Sequence, residues 1–194
     1  MSFIYINGYP GVGKLTIARQ LSKLFPRAKV LDNHLLIDPV AAIFDRTAEE
    51  YQPTRQKLAI ILEAIATAET IRENTLIFTD SQSSSELGTS AARDYKTAAE
   101  SCGLPFLSVI LHCGLEENLN RAMGSDRGNG SNTKLTDLEI IQAIREKEDL
   151  HRFRDTYEME LDVTNLSPNE AATHIYEHVN KILQNGFDEN RMDT

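Results

Sequence analysis

Residues 8 to 16 read Gly8-Tyr9-Pro10-Gly11-Val12-Gly13-Lys14-Leu15-Thr16 and follow directly on the apolar run Phe3-Ile4-Tyr5-Ile6. Glycines let a short loop fold so that its amides converge on one anion, and Lys14 adds a full positive charge. A helix predicted over Leu15 to Leu24 would begin where that loop ends. Its N-terminus would contribute unpaired N–H groups and partial positive charge. The chemistry this suits is capture of a nucleotide's polyphosphate tail. The alternative is a tight strand-to-helix turn whose lysine merely decorates the helix start. Against it, a cation at a helix N-terminus is unfavourable unless an anion visits.

The spacing approximates the P-loop pattern G-x-x-x-x-G-K-[ST], whose final hydroxyl serves Mg²⁺. Gly8, Gly13 and Lys14 fit, but Leu15 stands at the hydroxyl position and Thr16 comes next. Leucine ligates no metal, so either Thr16 or water takes that task.

Other groups that could act with this loop end the predicted strands, since ligands of parallel α/β sheets sit at the carboxyl ends of strands. Asp32 closes Lys29-Val30-Leu31, Asp80 closes Thr75 to Thr79, and Thr164-Asn165 follow the last strand. An acid at the end of an apolar strand can help hold Mg²⁺ beside a phosphate loop, which suits Asp80 to metal or substrate contact. A turn-capping role is the alternative for Asp80 and for Asp32. His34, two positions beyond Asp32, could line the same pocket or simply start a helix. Arg121 and Arg127 flank Ala-Met-Gly-Ser-Asp, and arginine from a closing lid stabilises the charge that develops in phosphoryl transfer. Two solvated arginines are the competing reading.

The elements needed to position these groups alternate along the chain. Strands are expected at Phe3–Asn7, Lys29–Asp32, Thr75–Thr79, Phe106–Cys113 and Glu158–Val163. Helices are expected from Leu35 to about Arg46, Pro53 to about Asn74, Ser90 to Ser101, Glu116 to Met123, Asp137 to about Phe153, and Ser167 to Leu183. In the second of these, Leu58, Ile61, Leu62, Ile65, Ala68 and Ile71 repeat at helical spacing and predict a core face. Ser167-Pro168-Asn169-Glu170 reads as a capping box with proline in the first turn. The alternation predicts an α/β fold, a three-layer parallel sheet of about five strands covered by helices on both faces. One domain is expected over residues 1–184, with a lid at about 121–136 and a polar tail over 185–194.

The 194 residues carry 20 Lys plus Arg against 29 Asp plus Glu, a net charge of −9. That balance argues against tracking along a nucleic-acid polymer, which calls for a basic footprint. Cys102 and Cys113 form no metal-binding spacing and read as reduced packing residues. No signal peptide or membrane span is apparent, so a cytoplasmic protein with no membrane partner is expected.

The wording G-x-P-G-x-G-K-x-T resembles the phosphate loop of adenylate-kinase-like and shikimate-kinase-like P-loop small-molecule kinases, the fold of P-loop nucleoside triphosphate hydrolases. In those kinases, too, the residue after the lysine is not Ser or Thr, and a Thr follows. The resemblance implies a short-lid kinase using ATP and Mg²⁺, with Gly8, Gly11, Val12, Gly13, Lys14, Leu15 and Thr16 around the phosphates. It implies an acid at Asp32 that orients or deprotonates the acceptor hydroxyl, Arg121 against adenine and Arg127 against the phosphates. It also suggests an adenine loop at Asn165, and Arg55 and Arg154 as grips on an anionic acceptor. Thr79-Asp80-Ser81 replaces the glycine triplet of shikimate kinases, and Asp32-Asn33-His34 replaces two alternating aspartates. The expected function is transfer of the ATP γ-phosphoryl group to a small hydroxylated or phosphorylated acceptor. Alternatives are an ATP-binding module or slow NTPase, and a toxin-type or polynucleotide-end kinase.

Overall fold

The computed structural model describes residues 1–45, 48–51, 53–54, 60–124 and 137–185. Arg55, Leu58 and Arg127 lie outside them. Five strands form one wholly parallel sheet: β1 (Phe3–Gly8), β2 (Ala28–Asp32), β3 (Thr75–Asp80), β4 (Phe106–His112) and β5 (Met159–Asp162). Their spatial order is β2-β3-β1-β4-β5, which puts β1 in the middle. The α/β three-layer expectation therefore stands.

Every residue of β1 is buried, as a strand covered on both faces requires. Its side chains alternate between two cores. Ile4 and Ile6 join the core beneath α1 (Lys14–Leu21) and α7 (Pro168–Gln184), with Ile17, Leu21, Ile175 and Val179. Phe3 and Tyr5 face the other core, beneath α3 (Ile60–Thr67) and α4 (Glu86–Cys102), with Leu62, Ala66, Phe78 and Tyr95. The remaining helices among the described residues are α2 (His34–Ala41), α5 (Leu115–Met123) and α6 (Leu138–Lys147). Among the described residues no helix is long and apolar enough to cross a membrane.

Several boundaries differ from the sequence expectation, each for a physical reason. The helix begun at Asp137 stops at Lys147 rather than near Phe153. The backbone after it turns extended, because its hydrogen bonds go to another loop: Ser84 N–H donates to Asp149 O (2.7 Å) and His151 N–H to Gln82 O (2.9 Å). α4 begins at Glu86 rather than Ser90, since the Ser85 hydroxyl accepts from Gly88 N–H and caps it. The helix expected through Asn74 breaks at Ala68, which is extended, and a 3₁₀ turn, Glu69–Glu73, completes the connection. The apolar stripe there is narrower than expected. Leu62 and Ala66 are buried, Ile65 is partly so, and Ile61 is exposed. The helix after Asp32 ends at Ala41 rather than near Arg46. The Ser167 capping box forms as expected.

Candidate functional site

The loop from Tyr9 to Gly13 leaves the buried end of β1 and opens into α1. Gly11 (φ 93°) and Gly13 (φ 102°) both hold left-handed backbone that a side chain disfavours. Gly11 also faces a close neighbour: a Cβ there would lie 2.5 Å from Asn118 Nδ2. The first backbone bond into α1 is donated by Ile17 N–H to Gly13 O (3.0 Å). The amides just before Ile17 thus have no acceptor within the helix. Lys14 curls over its own loop, its Nζ donating to Gly8 O (2.6 Å) and Tyr9 O (2.9 Å). Leu15 is partly buried and Thr16 is exposed on the first turn of α1. Val12 is fully buried in the α1–α7 core, so it contributes main chain only.

The loop is braced from behind by α5 and α6. Asn118, fully buried, donates from Nδ2 to Pro10 O (2.9 Å) and accepts at Oδ1 from Arg145 Nη1 (2.9 Å). Arg145 also donates to Cys113 O and lies over the Tyr9 ring, 4.9 Å from its centroid. Burial raises the Tyr9 pKa above the usual phenol value, and the Arg145 charge opposes that rise. Arg121 joins loop to sheet edge. Its Nη1 donates to Val12 O (3.0 Å), its Nη2 to Val163 O (2.7 Å) and Thr164 O (3.2 Å), and Glu117 pairs with Nε (2.6 Å). Asn165, the next residue, is exposed on the turn after β5. Arg121 and the Val163–Asn165 turn therefore flank one side of the loop.

The acids gather on the other side. In the sheet Asn7 stands level with Asp80, and Asp32 with Thr79. Asp32 Oδ1 accepts from Thr79 Oγ1 (2.9 Å), whereas its Oδ2 is buried and has no hydrogen-bond partner among the described residues. Asp80 is 2% exposed, and its carboxylate accepts from Asn33 Nδ2, Ser81 N–H (2.8 Å) and Gln82 Nε2 (2.8 Å). His34 Nδ1 lies 3.4 Å from Asp38 Oδ1, one helical turn on. Asp32 is two strand spacings from β1, about 10 Å, and Asp80 one.

The structure therefore brings the glycines, Lys14, Thr16, Asp32, Asp80, Arg121 and Asn165 to the carboxyl edge of one sheet. Arg154 stands apart from them. It is exposed on the turn before β5, with φ 58°, and its N–H donates to Glu158 Oε1 (3.0 Å). Sequence reasoning passed over Asn7, Gln82, Asn118 and Arg145. The polar Asn7 after four hydrophobic residues was the one local signal. The contacts of Asn118 and Arg145 join distant parts of the chain and leave no such trace.

Comparison with known proteins places this geometry in a wider setting. None of the curated proteins matches the chain. A gluconokinase from Sinorhizobium meliloti 1021 superposes with a TM-score of 0.61 at 14% identity, over 95% of this chain and 94% of that one. The APS kinase of Mycobacterium tuberculosis, solved with AMPPNP and APS, gives 0.58 at 16% identity, over 92% and 97%. A shikimate kinase from Bacteroides thetaiotaomicron gives 0.55 at 14% identity, over 94% and 98%. The fold is that of P-loop small-molecule kinases. A family model described as an AAA domain, AAA_18, matches residues 4–156, from the start of β1 to the turn before β5, and the chain belongs to that family.

Proposed function

We propose that this protein transfers the γ-phosphoryl group of ATP to a small hydroxylated or phosphorylated acceptor. The observation that carries the reading is the cradle after β1: two left-handed glycines, an uncapped helix start, and the Lys14 ammonium folded over the mouth between them. Phosphate oxygens would replace the Gly8 and Tyr9 carbonyls as acceptors for Lys14. The amides of residues 11 to 16 would hold the β-phosphate, and the Arg121 side of the loop, with Asn165, would receive the adenine.

The acceptor would approach from the Asp32 side. Its hydroxyl oxygen bonds to the γ-phosphorus as the bridging P–O bond to the β-phosphate breaks, ADP leaves, and the hydroxyl proton passes to Asp32. Asp32 Oδ2, without a hydrogen-bond partner among the described residues, suits a donor of that kind. His34 and Arg55 are further candidates for the acceptor pocket, and Arg127 for neutralising transition-state charge. Arg154 would reach the acceptor only by a movement of its turn.

Among the described residues no three Asp, Glu, His or Cys side chains gather to cage a metal. The Asp80 oxygens already accept three N–H groups. Such residues fit a Mg²⁺ that keeps most of its waters and leans on phosphate oxygens, with Asp80 and Thr16 touching it through water. When bound, the ion would draw charge from the β- and γ-phosphates.

Leu15 favours a second reading, an ATP-binding module or slow NTPase, because it removes the usual metal hydroxyl. A coupled ADP-release screen over nucleoside monophosphates, sugar acids and phenol- or aminoglycoside-type alcohols separates the two. A kinase should release ADP far faster with one class of acceptor than with none. Lys14→Ala should lower that rate at least about 10²-fold, as loss of one transition-state donor does. A near-normal rate in Lys14→Ala would overturn the assignment.

A further inference from the structure

We propose that Asn7 and Gln82 are positioning residues. Together they set the Asp80 carboxylate beside the phosphate loop and tie that setting to the chain leaving α6. This inference rests on the reading that a nucleotide and Mg²⁺ occupy the loop.

Asn7 is fully buried and immediately precedes Gly8. It lies on the same sheet face as Phe3 and Tyr5, where an apolar side chain would complete the α3–α4 core. Instead its amide is used on both sides. Nδ2 donates to Gln82 O (3.0 Å) and His151 O (3.1 Å), and Oδ1 accepts from Gln82 N–H (2.8 Å). Both main-chain groups of Gln82 are therefore clasped by one side chain. The clasp directs Gln82 Nε2 to Asp80 Oδ2 (2.8 Å), while Ser81 N–H and Asn33 Nδ2 hold Oδ1. Gln82 is itself 4% exposed, so water does not compete for this bond. Donors on both oxygens leave the carboxylate one rotation about its bond to Cβ.

The same clasp reaches the segment after α6. His151 N–H donates to Gln82 O (2.9 Å) and Asp149 O accepts from Ser84 N–H (2.7 Å). Glu148 O accepts from the Tyr9 hydroxyl (2.7 Å), inside the phosphate loop itself. Glu148, Asp149 and His151 thus touch the phosphate loop, the turn after Asp80 and the Asn7 amide. A packing residue at position 7 or 82 would satisfy the core but would leave Asp80 without this orientation. Partners that orient a metal-facing group from behind matter by about 10–100-fold in metal affinity.

The test uses the full chain and a fluorescent ATP analogue, mant-ATP, titrated with and without Mg²⁺. Gln82→Met keeps length and burial but deletes the N–H to Asp80. It should leave Mg²⁺-free mant-ATP affinity within about twofold and raise the Mg²⁺ concentration at half-effect about tenfold or more. Asn7→Leu should give a similar shift if its thermal melt stays cooperative. Should it fail to fold, Gln82→Met decides alone. An unchanged Mg²⁺ midpoint in folded Gln82→Met overturns the inference and leaves the nucleotide site standing. Wild-type protein that binds no mant-ATP overturns the nucleotide reading and this inference with it, before any variant is measured.

Discussion

Replacing Gly11 by alanine separates two features of the phosphate loop that a sequence motif merges. The backbone at Gly11 has φ 93°, and holding a non-glycine residue in such a region costs of order 1–3 kcal/mol. Its new Cβ would also stand 2.5 Å from Asn118 Nδ2, with the Asn118 carbonyl 3.2 Å away, so Asn118 must move. Moving it strains or breaks the bond to Pro10 O, worth about 1 kcal/mol, and the bond from the Arg145 guanidinium, worth about 1.5–3 kcal/mol. The sum is roughly 4 kcal/mol with partial relaxation. For a chain of this size that is about 8–16 °C in Tm. Gly13→Ala shares the left-handed backbone, at φ 102°, but among the described residues its Cβ meets nothing nearer than Arg121 Nη1 at 3.9 Å. It should lose only the backbone part, about 2 kcal/mol or 4–8 °C. Circular-dichroism melts of the two variants, run beside wild type under reducing conditions, measure the difference directly. Equal losses, within about 2 °C, would refute the claim that the Asn118–Arg145 brace supports the loop from behind.

Other outcomes follow from the same geometry. Arg121→Lys keeps the charge but cannot reach Val12 O, Val163 O and Thr164 O with one planar fork; mant-ATP affinity should fall about tenfold, measured by fluorescence titration. Asp32→Asn should lower acceptor-dependent ADP release about 10²-fold or more while mant-ATP binding stays within about twofold, and loss of both together would place Asp32 outside the acceptor's path. His151 is buried, and burial holds its pKa below 6.5, with the Glu158 charge opposing and the Arg93 charge adding to that shift. The unfolded chain takes up this proton near pH 6.5 and the native state does not. Stability from His151 is thus full above pH 6.5 and declines as pH falls below it toward the native value. Melts at pH 7.5 and 5.5 should differ less in His151→Gln than in wild type, and an undiminished difference would exclude His151 as a source of that slope.

The parts of this molecule legible in the sequence were those whose physics is local. An apolar run emptying into Gly-x-Gly-Lys, and acids at the ends of apolar strands, announce a carboxyl-edge site within a few residues of the groups concerned. The α7 capping box is likewise contained in four residues. What stayed hidden depends on partners far along the chain. Asn118 contacts Pro10, 108 positions away, and Asn7 contacts His151, 144 away. The end of α6 was hidden for the same reason. The pattern beyond Lys147 still suits a helix, but the Gln82–Ser84 backbone offers hydrogen bonds that an extended segment satisfies better. The α4 start depends on the Ser85 cap and on Gly88 in the first turn. Gly88 is needed there because a Cβ would lie 2.3 Å from Ser83 O.

The strand order carries one more consequence. β1, which launches the phosphate loop, has a hydrogen-bonded neighbour on either side, whereas β2, which launches Asp32, lies at the border with β3 alone beside it among the described residues. Breathing motions that detach a border strand need break only one ladder, so amide exchange should be slowest at Ile4 to Ile6 and faster at Val30 to Asp32. The phosphate loop thereby springs from a strand held by ladders on both sides. Asp32 springs from one that can be reshaped with little damage to the remainder, a division that, on the proposed reading, would let descendants of this scaffold change their acceptor while keeping how they hold the nucleotide.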